Sequence, residues 1–220
     1  MSVHIPVVDK ITKANDLLAA QNRDLLDAKG IFGINILASP GAGKTSLIEQ
    51  TLPRLAGRLR TGVIEGDLAT SIDAERTAAA GAASVQINTG GACHLEAHAI
   101  RKAMEALPLD DLDLLVVENI GNLICPASFA LGTHLNVLVA SIPEGDDKPY
   151  KYPIMYRGVD VLVVNKIDLL PYVTFDMERF RRGVETLNEG VTTFPLSCRT
   201  GEGLEAWVEF LVGRAGNRGA

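Results

Sequence analysis

An α/β fold, a doubly wound and mostly parallel sheet with helices on both faces, is predicted by three features of this 220-residue chain. Short apolar runs alternate with helical stretches along its length, the rhythm of strand–helix–strand crossovers. Runs such as Leu114-Leu115-Val116-Val117 and Val161-Leu162-Val163-Val164 are apolar at consecutive positions, as a strand covered on both faces requires. A further run, Ile34-Asn35-Ile36-Leu37, leads straight into a glycine-rich turn and then a helix.

Taken in order, residues 7–29 place Val7, Val8, Ile11, Leu17, Leu18, Leu25 and Leu26 at the spacing of an N-terminal amphipathic helix lying across the domain, stopped at Gly30. Strands are expected at 33–38, 61–66, 84–87, 113–118, 135–141, 159–164 and 192–196. Helices are expected at 44–55, 71–80, 94–106, 174–188 and 203–213. Trp207, at helical spacing from Leu204 and Leu211, reads as core, and Arg179-Phe180-Arg181-Arg182 as a solvated helix face. The Gly-rich stretch 213–220 reads as a flexible tail. No repeat or low-complexity linker divides the chain, so residues 1–220 are read as one domain.

Charge and composition exclude several function classes. The 21 basic residues are outnumbered by 27 acidic ones, a formal net of −6, which argues against a nucleic-acid or anionic-membrane surface. No apolar run approaches the roughly 18 residues needed to span a bilayer, and the N-terminus lacks a signal-peptide pattern. The three cysteines, Cys93, Cys125 and Cys198, fit reduced thiols in the cytoplasm better than a disulfide framework.

Residues 38–45, Ala-Ser-Pro-Gly-Ala-Gly-Lys-Thr, form a phosphate-binding loop between a buried strand and a helix, so the fold is that of a P-loop NTPase. Ala38 stands where the strict pattern has glycine. Gly41 and Gly43 let the backbone curl so that the N–H groups around Pro40, Ala42 and Ser46 face phosphate oxygens. Lys44 is expected to reach the outer phosphates and Thr45 to offer its hydroxyl to Mg²⁺. Asp67 and Glu118 end strands on the phosphate side, where a carboxylate holds Mg²⁺ or orients the attacking water. Asp73 competes with Asp67 for the Mg²⁺ side, and Arg76 for charge neutralisation; helix capping is the bland alternative for Asp67. Gly121, three residues after Glu118, has the spacing of a γ-phosphate sensor.

Guanine selection is read from Asn165-Lys166-Ile167-Asp168 at a strand end. A carboxylate there accepts from both the ring N–H and the exocyclic amine of guanine, a donor pair adenine lacks, so the ligand is GTP. Ser197 and Cys198, after the last strand, sit where a loop backbone meets the base. An ATP-dependent small-molecule kinase is the rival that this motif disfavours.

A second constellation points to a transition metal. Cys93 adjoins His94, with His98 one helical turn on, in Gly90-Gly91-Ala92-Cys93-His94-Leu95-Glu96-Ala97-His98. A helix beginning near His94 would place Cys93 at its N-terminus, where the macrodipole favours the thiolate. Cys125 lies just past Gly121. Thiolate plus imidazole suits Ni²⁺ or Zn²⁺ rather than Mg²⁺ or Ca²⁺. Three ligands leave a tetrahedron incomplete, which points to a site shared between two chains of a symmetric dimer. The rival is a regulatory or adaptor GTPase whose cysteines and histidines are structural.

These pieces together resemble the hydrogenase nickel-incorporation GTPases, the HypB family, relatives of the urease nickel-insertion GTPases. The likeness runs through Ser39–Thr45, Glu65-Gly66-Asp67, Ala92–His98, Glu118-Asn119-Ile120-Gly121-Asn122-Leu123-Ile124-Cys125-Pro126, Glu144–Pro149 with Lys151-Tyr152-Pro153, and Asn165–Asp168. It implies a GTPase that dimerises when GTP is bound and helps load nickel into a [NiFe]-hydrogenase precursor. The implied partners are a hydrogenase maturation accessory protein and the hydrogenase large subunit. Cys93, His94 and Cys125 are the implied Ni²⁺ or Zn²⁺ ligands near the dimer interface, with His98 an additional ligand in some members. Two departures matter: no cysteine precedes Cys93 and, of the histidines, only His4 precedes the phosphate loop. The Cys-rich tight site and His-rich storage stretch of some members are therefore not expected. The urease-type relative is expected to carry Cys-Pro-His, whereas here Cys and His adjoin and Cys125 is separate. Cys125, four residues beyond Gly121, would carry loop movement to the metal.

Overall fold

The computed structural model describes residues 7–67 and 82–216, with the side chains of 7–11 left aside. Seven strands form one sheet: β1 (Phe32–Ala38), β2 (Thr61–Asp67), β3 (Ala83–Asn88), β4 (Leu114–Glu118), β5 (Leu135–Ser141), β6 (Val161–Asn165) and β7 (Thr192–Pro195). Their order is β3-β2-β4-β1-β5-β6-β7 and every pairing is parallel. The helices are α1 (Val7–Ala28), α2 (Lys44–Leu55), α3 (Ala97–Glu105), α4 (Lys148–Lys151), α5 (Pro153–Arg157), α6 (Met177–Leu187) and α7 (Leu204–Gly216).

The consecutive apolar residues of the strands divide between two faces by the two-residue period of a strand. Ile34, Ile36, Val116, Val137 and Val163 point to one side, where Leu47, Ile48 and Leu52 of α2 meet Trp207, Val208 and Leu211 of α7. Trp207 is fully buried as expected, and its indole N–H donates to Thr51 Oγ1 at 3.1 Å. Leu115 and Val117 point to the other side, against Leu26 of α1 and Ile100 and Met104 of α3. Further along that face Leu138, Leu162 and Val164 pack on Tyr156 of α5 and Phe180 and Val184 of α6. Phe180 thus belongs to the core, while Arg179 pairs with Asp146 at 3.0 Å.

Several boundaries move from expectation. The helix expected at 94–106 begins only at Ala97, because Asn15 Oδ1 of α1 accepts the Ala97 N–H at 2.8 Å and supplies a cap from a distant segment. The helix expected at 174–188 begins at Met177, where Asp176 accepts from the Arg179 N–H at 2.9 Å. The tail expected from 213 is helical through Gly216, with Ala215 buried and Arg214 over the Phe210 ring. The short helices α4 and α5 were not expected from the pattern. The helix expected at 71–80 lies outside the described residues.

Helix α1 buries Asn15, Ala19, Asn22 and Leu26, while Leu17 is exposed. Its polar residues do the docking: Asn15 Nδ2 donates to Ala130 O at 2.8 Å, and Asn22 Nδ2 to Ala97 O and Leu131 O at 2.9 and 3.0 Å. Arg23 donates to the carbonyls of Gly132 and Thr133. The helix therefore grips both the start of α3 and the chain entering β5.

Candidate functional site

Strand β1 lies at the centre of the sheet with β4 on one side and β5 on the other, so the chain order reverses around it. Such a reversal opens a crevice at the carboxyl ends of the strands, and the glycine-rich loop leaves β1 there. Gly41 and Gly43 take φ of +78° and +106°, backbone that L side chains avoid. Gly43 gives no side-chain cap to α2, leaving the first N–H groups of that helix available to an anion. Ala42 is buried beneath the loop.

A cavity of about 460 Å³ opens over this loop. Pro40, Gly41, Gly43, Lys44, Thr45 and Ser46 line one side, with Asp67, Glu118 and Gly121 on the other. The phosphate-loop and strand-end residues expected from the sequence thus converge, whereas Asp73 and Arg76 lie outside the described residues. Thr45 Oγ1 donates to Glu118 Oε1 at 2.8 Å, so this buried carboxylate faces the hydroxyl of the phosphate loop. A Cβ built on Gly121 would stand 3.1 Å from Pro40 Cα and N and 3.3 Å from Lys44 Nζ. A side chain there would have to push Pro40 aside by a few tenths of an ångström, so glycine suits that close approach. Ser39 Oγ donates to Glu144, whose other oxygen accepts from Ser141 N and Oγ at 2.7 and 2.8 Å, tying the loop to the end of β5.

A second cavity, about 390 Å³, adjoins the first and is lined by Asn165, Lys166, Asp168 and Cys198. Asn165, 1% exposed, is the clasp between the two: Nδ2 donates to Ala42 O at 3.0 Å and Oδ1 accepts from Lys166 N and Cys198 N at 2.7 and 3.2 Å. Lys166 holds a left-handed backbone, φ +64°, and its ammonium donates to Gly41 O at 2.7 Å. Buried Ser197 donates from Oγ to Asp168 Oδ1 at 2.6 Å, aiming that carboxylate, and accepts from Arg199 N and Thr200 N. Arg199, next to Cys198, also lines this cavity, as do Glu49, Gln50 and Leu169, which no motif singled out.

Desolvation by burial pushes the Cys198 thiol up to about 11, against a lowering hydrogen bond from Asn165. Below that value its thiolate fraction, and hence its alkylation rate, is expected to rise about tenfold per pH unit. Mass-spectrometric timing of iodoacetamide labelling at pH 7 to 10 checks this, and a plateau by pH 9 would contradict it.

Between β3 and α3 the chain carries Cys93 and His94, and beyond β4 it carries Cys125. One ligand atom from each lies within 4.8 Å of the others. His94 Nδ1 is 3.6 Å from Cys93 Sγ, and its ring stacks on Phe129 with centroids 3.8 Å apart. Its Nε2 is buried without a hydrogen bond among the described residues, 3.7 Å from Glu96 Oε1. Phe129, absent from the sequence reading, fixes the ring. Because α3 begins at Ala97, Cys93 lies outside its first turn and the macrodipole does not depress its thiol. Instead the hydrogen bond with Cys125, then desolvation, hold the Cys93 thiol above its ordinary value. His94 and His98 do not share a helical face: His94 precedes α3, and His98 is exposed on it, apart from the three-residue group.

Residues 33–195 match the family model of the CobW/HypB/UreG nucleotide-binding domain. The hydrogenase maturation factor HypB of Rhizobium leguminosarum bv. viciae is 44% identical over 214 residues, 97% of this chain and 72% of that protein. HypB of Escherichia coli (strain K12) is 43% identical over 211 residues, 96% of this chain and 71% of that one. The crystal structure of HypB from Helicobacter pylori in complex with nickel superposes with a TM-score of 0.88 at 35% identity, covering 93% of this chain and 96% of that one. With the phosphate loop, its guanine-side partner and the strand order all in place, this chain belongs to the HypB family of hydrogenase maturation factors, P-loop GTPases of the CobW/HypB/UreG group.

Proposed function

We propose that this GTPase is a nickel metallochaperone, one domain over residues 1–220, whose nucleotide state sets how tightly it holds Ni²⁺ for a [NiFe]-hydrogenase precursor. The observation that carries the reading is the gathering of Cys93, His94 and Cys125 within 4.8 Å, with Cys125 on the loop that leaves Gly121 at Lys44. Two thiolates and an imidazole form a soft donor set for Ni²⁺, with Zn²⁺ a competitor, and no oxygen-seeking ion competes well there. Three donors leave a position for a group from a second copy or from the receiving protein. His98 is at most a peripheral ligand.

Lys44 and the loop N–H groups bind the β- and γ-phosphates, while Asp168, held by Ser197, selects guanine. The oxygens of Thr45 and Glu118, 2.8 Å apart, and the carboxylate of Asp67 in the same cavity are hard donors suited to Mg²⁺. Mg²⁺, when bound, neutralises charge developing on the phosphates. Glu118 and Asp67 orient the attacking water, and Gly121 senses the γ-phosphate. We place the protein in the cytoplasm, where its three free thiols stay reduced; none of the helices described is long and apolar enough to cross a membrane. The proposed partners are a second copy when GTP is bound, a maturation accessory protein and the hydrogenase large subunit.

Size-exclusion chromatography with light scattering tests this, on protein loaded with GDP or a non-hydrolysable GTP analogue, each with and without one equivalent of Ni²⁺. The expected result is a monomer with GDP, a dimer with the analogue, and nickel retained through the column. A chain monomeric throughout that carries no metal overturns the proposal.

A further inference from the structure

We infer that Asn119 is the positioning residue that ties the metal loop to the phosphate sensor, with Asn122 as a second, weaker tie. The inference rests on reading Gly121 as that sensor and Cys93, His94 and Cys125 as the metal donors.

Asn119 directly follows Glu118 at the end of β4 and is 1% exposed. Its side-chain oxygen accepts two backbone N–H groups: Ile120 at 2.9 Å and Leu95 at 3.2 Å. One belongs to the neighbour of Gly121, the other to the neighbour of His94. Its amide nitrogen donates to Asn35 Oδ1 at 3.2 Å, and Asn35 Nδ2 donates in turn to Asn136 Oδ1 at 3.0 Å. Its backbone N–H donates to Ile36 O at 3.0 Å. The carboxamide is thus anchored to β1, the strand that delivers the phosphate loop. Its oxygen bridges two loops that share no strand.

On the far side of Gly121, Asn122 Nδ2 donates to Cys93 O at 3.4 Å, and Asn122 Oδ1 accepts from Ile124 N at 2.8 Å. His94 is therefore held at both flanking residues, Cys93 and Leu95, by side chains that flank Gly121. Leu95 and Ile120 are both buried in one apolar cluster, so the linkage is packed as well as hydrogen-bonded. Displacement of the Gly121 peptide by an entering γ-phosphate moves Ile120 and with it the acceptor that fixes Leu95. His94 then shifts relative to Cys125, which rides on the same loop. A purely structural carboxamide would satisfy buried N–H groups without making metal affinity depend on the nucleotide.

The discriminating measurement is a ratio. Ni²⁺ dissociation constants, from competition with a chromophoric chelator, are taken on the full chain with GDP and with a non-hydrolysable GTP analogue. Wild type is expected to show a ratio of about tenfold or more between the two states. Asn119→Ala is expected to bring it to within about twofold of unity, whatever its effect on either constant alone. Asn119→Asp keeps the acceptor for Leu95 and Ile120 but loses the donor to Asn35 Oδ1, and is expected to restore only part of the ratio. An Asn119→Ala protein with the wild-type ratio overturns the inference. If Asn119→Ala does not fold, Asn122→Ala decides, because that half-exposed side chain is dispensable for packing: a reduced ratio supports the ties and an unchanged one overturns them. A wild-type ratio of one instead sinks the nucleotide-gated reading itself, a failure seen before any variant is made.

Discussion

Gly43→Ala is expected to remove GDP and GTP binding together, weakening both by a hundred- to several-thousandfold. Gly43 sits at φ +106°, where a side chain costs about 1–2 kcal/mol. The larger effect is steric: the new Cβ would stand 2.4 Å from Asn165 Nδ2. Asn165 is buried, so it cannot step aside into solvent without surrendering Ala42 O, Lys166 N and Cys198 N. Each buried partner left unpaired adds about 1–3 kcal/mol. One methyl group thereby disorders the phosphate loop and the guanine-side loop together. Gly41→Ala is the control: its φ is +78°, yet nothing lies within 4 Å of its Cβ, so only the backbone strain applies, about a tenfold loss. Fluorescence titration with labelled nucleotides separates the two. A Gly43→Ala protein that binds GDP within about threefold of wild type would refute this account of the clasp.

Cys125→Ala is expected to lower Ni²⁺ affinity by more than about a hundredfold, since losing even an outer partner of a metal ligand costs 10- to 100-fold. The remaining Cys93 and His94 supply only two donors, and the thiol that Cys93 bonds with is gone. Cys198→Ala is expected to leave the metal affinity unchanged, because that thiol lies in the base-side cavity. Equilibrium dialysis with Ni²⁺ on the two variants checks both. Wild-type binding by Cys125→Ala would remove the cluster from consideration as the metal site.

The sequence carried the sheet because its strands are buried on both faces and so write themselves as unbroken apolar runs. It carried the phosphate loop and Asn165–Asp168 because their chemistry needs particular residue types at short spacing. What it hid depends on distant partners. The late start of α3 is set by Asn15, a side chain on another helix, while Leu95 and Glu96 look locally helical. That shift removed both the macrodipole argument for Cys93 and the shared helical face of His94 and His98. Phe129 under the His94 ring has no local signature at all. Asn35 and Asn119 were legible in principle: an asparagine inside or just beyond an apolar strand is a buried polar group in need of a partner. Which partner it finds is a matter of register between β1, β4 and β5.

The way α1 is fastened bears on how the molecule comes apart. Its grip relies on side-chain donors from Asn15, Asn22 and Arg23 to backbone carbonyls, with Ala19 and Leu26 the hydrophobic residues buried along its described length. Of residues 12–28, Ala19, Leu26 and part-buried Leu25 supply the hydrocarbon of that contact, so peeling this stretch away is expected to contribute a minor share of the heat capacity of unfolding and of the denaturant slope. Such a release is expected to be a sub-global opening, lower in free energy than loss of the sheet. Once it occurs, Ala97 loses its cap and the carbonyls at 130–133 lose their donors. Warming is therefore expected to loosen the thiol–imidazole cluster while the nucleotide crevice, rooted in β1, is still intact.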